Sequence, residues 1–352
     1  MEVLTTTSVD LYRPGNARAA GDHEEDGVMV RRFAVVPPER GPDLIGHRIL
    51  SGESVPVLDQ MQWMNTGTRS PDLFDFLSCH AGDYDSILCA PYMAWTSFVC
   101  TELAADRTIL MPCLHDEPFA RLELFRAAFE DVKGIWFLSE PERTLAASLY
   151  RLPDRVAVVG SGVEPPIDFD VRGFCLRHGV SEGFLLYAGR REWMKGWNEM
   201  LEQLAFTAGR LGRPIQLVTC GAGDVGVAPP GVEIVDLGFL PDNERWNAFA
   251  AAGLSLQPSA NESFSLSVLE SWAAGTPVMA NASSAVVAWH CARSQGGLTY
   301  RNRFEFAAAL SLLLEAPELR SDLARRGKEY VSAEYGWSGV LDRVERALDE
   351  WQ

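Results

Sequence analysis

The feature that most constrains this chain is an alternation. Short apolar runs at positions 84–90, 107–114, 133–139 and 155–159 are separated by stretches of helical periodicity, and the pattern restarts with runs at 184–188, 214–220, 232–238 and 254–258. Two further runs, 2–6 and 28–36, read as strands near the start, with Pro37-Pro38 ending the second. Strand–helix alternation of this kind argues for α/β architecture with parallel sheets. Gly160-Ser-Gly162 and Pro165-Pro166 interrupt it and mark a boundary. The expected organisation is a first domain over 1–165, a second over 166–335, and a closing helix over 336–352. Between the first two strands, Arg13-Pro-Gly-Asn16 and the acidic 22–27 stretch read as loop. Residues 43–80 read as mostly helical, broken at 67–71, and Pro71 opens a helix.

A length of 352 residues is enough for two domains of ordinary size. An apolar fraction of 47% with 22% charged residues is that of a globular protein, and no apolar run approaches a membrane span. The net charge of −17 disfavours nucleic acid and anionic lipid as partners, so any phosphate site must rest on locally placed cations. Seven scattered cysteines without a C-x-x-C pair fit reduced thiols, and the first residues lack a basic, apolar leader. A cytoplasmic location is the expectation.

One block carries most of the chemistry. From Leu254 to Asn281 the chain reads as strand, polar loop, short helix, glycine stop and strand. Leu266, Leu269 and Ala273 form the expected buried stripe of the helix. Glu262 lies in the loop and Glu270 on the helix. A helix N-terminus offers unpaired N–H groups and a partial positive charge to a phosphate, and a carboxylate beside it can accept hydrogen bonds from sugar hydroxyls. Ser267-Val-Leu-Glu270 also fits a capping box, in which the glutamate serves only its own helix.

Three further stretches invite a functional reading beside a bland one. Arg190 and Lys195 share one short loop after the 184–188 strand; they are either solvated surface charges or a cationic pair for a diphosphate. His115 follows the 107–114 strand, where a parallel sheet opens on its ligand crevice, or it stabilises its own turn. Tyr92 to Trp95 either stack on a sugar or fill the core. Asp168-Phe-Asp170 is a D-x-D pair of a type that holds divalent ions, but it falls in the linker rather than at a strand end, and no metal is expected.

The Ser259–Asn281 block resembles the E-x7-E signature of the retaining glycosyltransferases of family 4, with Ser265 where many members carry glycine. Gly189-Arg-Arg-Glu-Trp-Met-Lys-Gly196 is similar to the family's G-R-x-x-x-x-K-G motif, and His115-Asp-Glu-Pro118 to its post-strand histidine. The resemblance spans nearly the whole chain and is strongest from 183 to 281. It implies the GT-B fold, two Rossmann-like doubly wound domains facing a central cleft, with the last helix crossing back to the first domain. It implies a nucleoside-diphosphate sugar as donor, held by the second domain, and transfer of the glycosyl group to an acceptor hydroxyl with retention, without a metal cofactor. Arg190, Lys195 and the N–H groups of Ser263, Phe264, Ser265 and Leu266 would face the diphosphate. Glu262 would orient the sugar, Glu270 would hold the ribose, and Gly238 and Phe239 would lie beside the base. His115 would contact the donor sugar or the reaction centre. The first βα unit of the family, with its Gly-rich loop, has no counterpart before Glu2; either the start is internal to a longer natural product, or a partner chain or second copy completes the first domain, or the domain has adapted. A donor-binding subunit without turnover and a nucleotide-sugar epimerase on the same fold are the alternatives.

Overall fold

A computed structural model describes residues 1–9, 14–36 and 43–351. Arg13, Pro37 and Pro38 lie outside the described residues. The chain divides into two compact units, Met1–Val158 with Trp351, and Val159–Glu350.

The first unit begins with β1 (Glu2–Thr6), β2 (Gly21–Glu25) and β3 (Val28–Phe33). β3 is central in this small sheet, parallel to β1 and antiparallel to β2. The acidic 22–27 stretch, expected as loop, is therefore mostly strand. Asp26 and Gly27 both have positive φ, 51° and 78°, the geometry of a two-residue hairpin turn that matches strand twist. The Asp-Gly pair was the available signal, masked by the surrounding acids. Arg31 on β3 pairs with Asp22 on β2 at 2.8 Å, which offsets part of that charge.

β4 (Ile87–Cys89), β5 (Thr108–Leu110), β6 (Gly134–Phe137) and β7 (Val156–Val158) form an all-parallel sheet in sequence order. β5 is shorter than the 107–114 run: Pro112 cannot donate to a ladder and Cys113 takes a positive φ of 53°. Leu110, Phe125, Phe129, Ile135 and Phe137 are fully buried in this unit's core. Tyr92 and Trp95 are buried there too, so the aromatic loop after β4 is packing. Trp351 lies against Trp136, ring centroids 6.2 Å apart, over the space that a side chain at Gly134 would need.

The second unit contains β8 (Leu185–Ala188), β9 (Ile215–Cys220), β10 (Val232–Asp236), β11 (Leu254–Gln257), β12 (Val278–Asn281) and β13 (Gly297–Tyr300). All are parallel, in the order β10-β9-β8-β11-β12-β13. Counted from the first strand of the unit this is 3-2-1-4-5-6, the doubly wound order whose direction reverses between β8 and β11. Adjacent residues on a strand point to opposite faces, and both faces are covered. Leu185 and Leu217 enter one core with Met200, Leu204, Phe306 and Leu310; Leu186 and Val218 enter the other with Phe174, Ala248 and Phe249. The helix after β8 spans Trp197–Leu211, and the closing helices are Arg303–Glu315, Pro317–Glu334 and Trp337–Glu350. Asp170 caps the helix Val171–His178, accepting from the Gly173 N–H and pairing with Arg177 at 2.8 Å. Among the described residues no helix is long and apolar enough to cross a membrane.

Candidate functional site

In a doubly wound sheet the crevice lies outside the carboxyl ends of the two strands flanking the reversal. Here these are the ends of β8 and β11, and the loops leaving them carry Arg190, Lys195 and Glu262. Lys195 Nζ lies 2.8 Å from Glu262 Oε1, both side chains largely buried. Gln257, the last residue of β11, donates from Nε2 to the same carboxylate oxygen at 3.2 Å and to Ser265 Oγ at 2.7 Å. The two motifs, 67 residues apart in sequence, thus meet in one hydrogen-bonded cluster.

The close approach depends on Gly196. Its φ is 72°, and a Cβ there would stand 2.6 Å from the Pro258 carbonyl oxygen at the end of β11. Only glycine lets the loop after β8 touch the loop after β11 this closely. Arg190 sits at the exposed part of its loop, its Nη1 3.3 Å from Glu192 Oε1, while its carbonyl accepts from Tyr187 Oη at 2.7 Å.

At Ser265 the sequence departs from the glycine that many members of the family it resembles carry. The φ of Ser265 is +65°, in the left-handed region where an L side chain is strained. Its hydroxyl accepts from Gln257, which partly offsets that strain. Replacement of Ser265 by glycine is expected to leave stability within about 1 kcal/mol of the parent, since relief of strain opposes loss of the bond. Replacement by alanine keeps the strain and leaves a buried amide N–H without its acceptor, costing about 1–3 kcal/mol. Chemical denaturation of both variants checks the order; an alanine variant as stable as the glycine variant would contradict it.

Ser265 precedes the helix Leu266–Ala273, whose first backbone bonds run from Val268 and Leu269 to the Ser265 carbonyl. The N–H groups of Leu266 and Ser267 come before that ladder. Phe264 is buried, its ring edge-on to those of His290 and Tyr335 at 5.6 and 5.3 Å, and Ser263 is buried beside it. The expected stripe is corrected at one position: Leu269 and Ala273 are buried, but Leu266 is 48% exposed because it opens the helix at the loop surface.

Glu270 does not close a capping box, because the helix starts one residue before Ser267 and Ser265 makes no side-chain cap bond. Its Oε2 instead receives Nη1 of Arg245, from the helix Asp242–Ala251. Burial pushes the Glu270 carboxyl up, against the pull of the Arg245 guanidinium. Arg191, the neighbour of Arg190, is 8% exposed and ties three strand ends together. It reaches Asp236 Oδ1 at the end of β10 at 3.1 Å, the Gly223 carbonyl at 3.0 Å and Thr219 Oγ1 on β9 at 3.5 Å. Asp236 also accepts from the Gly238 N–H at 2.8 Å, and Phe239 next to it is 83% exposed. Arg191 falls at an unspecified position of the 189–196 motif and Arg245 lies outside any motif, so nothing in the sequence separates them from other loop and helix arginines.

His115 belongs to the first unit, on the turn after β5. Its Nδ1 is 3.8 Å from Glu117 Oε1, and Glu117 is buried and accepts from Tyr92 Oη at 3.1 Å. The following 3₁₀ turn, Pro118–Arg121, is flanked by Glu117, so His115 does not cap it. Beneath the turn lies a buried carboxyl, Glu142, which accepts the Leu114 and Leu138 N–H groups at 2.6 Å each. Burial pushes it up to about 7, against those N–H groups and that of Ser139. Folded Glu142 therefore binds more protons than unfolded Glu142 between about 4.5 and 7, so stability falls as pH rises through that window and is flat above it. Melting temperature against pH is expected to lose this slope in Glu142→Gln, which cannot titrate; parallel curves for the two proteins would refute the assignment.

Residues 176–330 match the family described as glycosyl transferases group 1. The D-inositol 3-phosphate glycosyltransferase of Frankia alni is 32% identical over 227 residues, covering 56% of this chain and 54% of that protein. The protein of the same name from Thermobispora bispora is 29% identical over 241 residues, covering 59% and 53%. The chain thus spans about half the length of the curated relatives it matches. Among solved structures, the sucrose-phosphate synthase of Thermosynechococcus elongatus superposes with a TM-score of 0.70 over 100% of both chains at 18% identity. Anabaena HepE in complex with UDP-glucose gives 0.71 over 99% of this chain and 100% of that one at 15% identity. The α/β fold, with parallel sheets in two domains, is GT-B.

Proposed function

We propose that this chain, whose second unit carries a group 1 glycosyl transferase domain, moves a glycosyl group from a nucleoside-diphosphate sugar to an acceptor hydroxyl with retention at the anomeric carbon. The observation that carries the reading is the Lys195–Glu262 contact at the reversal of the second sheet. A cation suited to a phosphate and a carboxylate suited to hydroxyls lie 2.8 Å apart there, which supports a sugar joined to a diphosphate as the ligand.

In this reading the bond from the anomeric carbon to the diphosphate oxygen breaks, a bond from that carbon to the acceptor oxygen forms on the same face, and the acceptor's hydroxyl proton leaves on the departing diphosphate. Negative charge collects on the leaving diphosphate. Lys195, Arg190 and the N–H groups from Ser263 to Leu266 receive it, and such preorganised groups accelerate a reaction because they gain most where charge develops. Glu262 orients the sugar and Glu270 accepts from the ribose. The backbone of Gly238 and Phe239 borders the base.

The test is product analysis by mass spectrometry. The purified chain is incubated with UDP-, GDP- and ADP-sugars and a panel of hydroxyl acceptors, and the names of the relatives make D-inositol 3-phosphate the first acceptor to try. A glycosylated product with the donor's anomeric configuration supports the reading. Conversion of donor alone to an isomeric donor would replace it with an epimerase. Tight donor binding without turnover, restored by a second chain, would replace it with a donor-binding subunit.

A further inference from the structure

Arg245 occupies an unfavourable place for a cation. It lies in the first turn of the helix Asp242–Ala251, where the helix dipole repels positive charge. Its guanidinium leaves that helix and bridges two carboxylates: Nη1 meets Glu270 Oε2, and Nη2 lies 3.3 Å from Asp242 Oδ1. Glu270 is the more buried partner, with 12% of its side chain exposed against 31% for Arg245. Arg245 engages one carboxylate oxygen, which leaves Oε1 for a second donor.

The surroundings repeat the arrangement. The buried Cys220 at the end of β9 feels the charges of Arg245 and Glu270 together with those of Arg191 and Asp236. Two arginine–carboxylate pairs therefore flank one strand end beside the crevice. Arg245 thus stands between two carboxylates, so its guanidinium holds geometry rather than attracting an anion. A planar guanidinium fixes a carboxylate's rotation in a way that a freely rotating ammonium does not.

We infer that Arg245 is the positioning residue for Glu270: its bond to Oε2 turns the carboxylate so that Oε1 and the outer lone pair of Oε2 meet the two vicinal hydroxyls of the donor ribose, and it thereby sets the preference for ribonucleotides over their deoxy forms. The inference rests on the function proposed above, which has Glu270 accept from a ribose. It adds the residue that makes that acceptance selective.

Calorimetric binding of UDP, GDP and ADP, each beside its 2′,3′-dideoxy form, tests it in the parent, Arg245→Gln and Arg245→Lys. In the parent the dideoxy form of the preferred diphosphate is expected to bind about ten- to a hundredfold more weakly, the worth of hydrogen bonds to a charged group. In Arg245→Gln that ratio is expected to shrink to about twofold, and the melting transition reports whether the fold is intact. Arg245→Lys is expected to recover part of the ratio, because charge returns without the planar fork. An undiminished ratio in both variants overturns the inference, as does an equal loss of ribo and dideoxy binding, which would make Arg245 a bridge between helices only. A parent that binds none of the diphosphates overturns the proposed function itself, and is told apart by appearing before any substitution.

Discussion

Lys195→Ala is expected to lower kcat/KM for sugar transfer or donor hydrolysis by about 10²–10³-fold, the typical effect of removing one preorganised group that faces developing charge. Two causes act together. The leaving diphosphate loses a cation, and Glu262, with 11% of its side chain exposed, loses its 2.8 Å partner while keeping only the Gln257 amide. A carboxylate left without its cation in such a place is costly and also repels the phosphate. Steady-state kinetics with any productive donor, together with calorimetry, would check this. Unchanged donor affinity and turnover in the variant would count decisively against a diphosphate site at the β8–β11 reversal.

Trp272→Ala should unfold the second unit more readily than any change at the loops. Trp272 is fully buried, its ring fills the space above Gly327 of the helix Pro317–Glu334, and its Nε1 donates to the Gly296 carbonyl at 2.8 Å. Truncation leaves a cavity the size of an indole and an orphaned carbonyl. The expected cost is about 3–5 kcal/mol, which for a unit of this size lowers its melting temperature by about 6–20 °C. Trp272 follows Glu270 by two residues on one helix, so donor affinity should fall with stability. A melting curve indistinguishable from the parent's would show that the helix is anchored elsewhere.

The features legible in the sequence are those with local causes. The alternation of apolar runs and helical stretches carried the two parallel α/β sheets, β4–β7 and β8–β13. Lys195 and Glu262 could be named as candidates because each falls in a motif that resembles one of the retaining glycosyltransferases of family 4. What stayed hidden depends on tertiary placement. Arg245 reads as one more charge in a polar helix until the neighbouring helix brings Glu270 to it. Arg191 looks like a second loop cation, yet the curvature of its loop turns it inward to Asp236 while Arg190 stays exposed. The β2–β3 hairpin was obscured because acidic residues suppress the apolar alternation that marks a strand. The strain at Ser265 is invisible in a sequence, since serine is common at helix starts and only the backbone angle singles it out.

The contact between Lys195 and Glu262 has a consequence for selectivity. Each charge already has a counter-ion, so a newcomer must trade with both. Inorganic pyrophosphate would draw the ammonium away and strand the acid; a free monosaccharide would have to compete with the ammonium for the same oxygen. In the proposed function, a ligand that brings both an anion and hydroxyls would repay both sides of the exchange better than one that brings either alone.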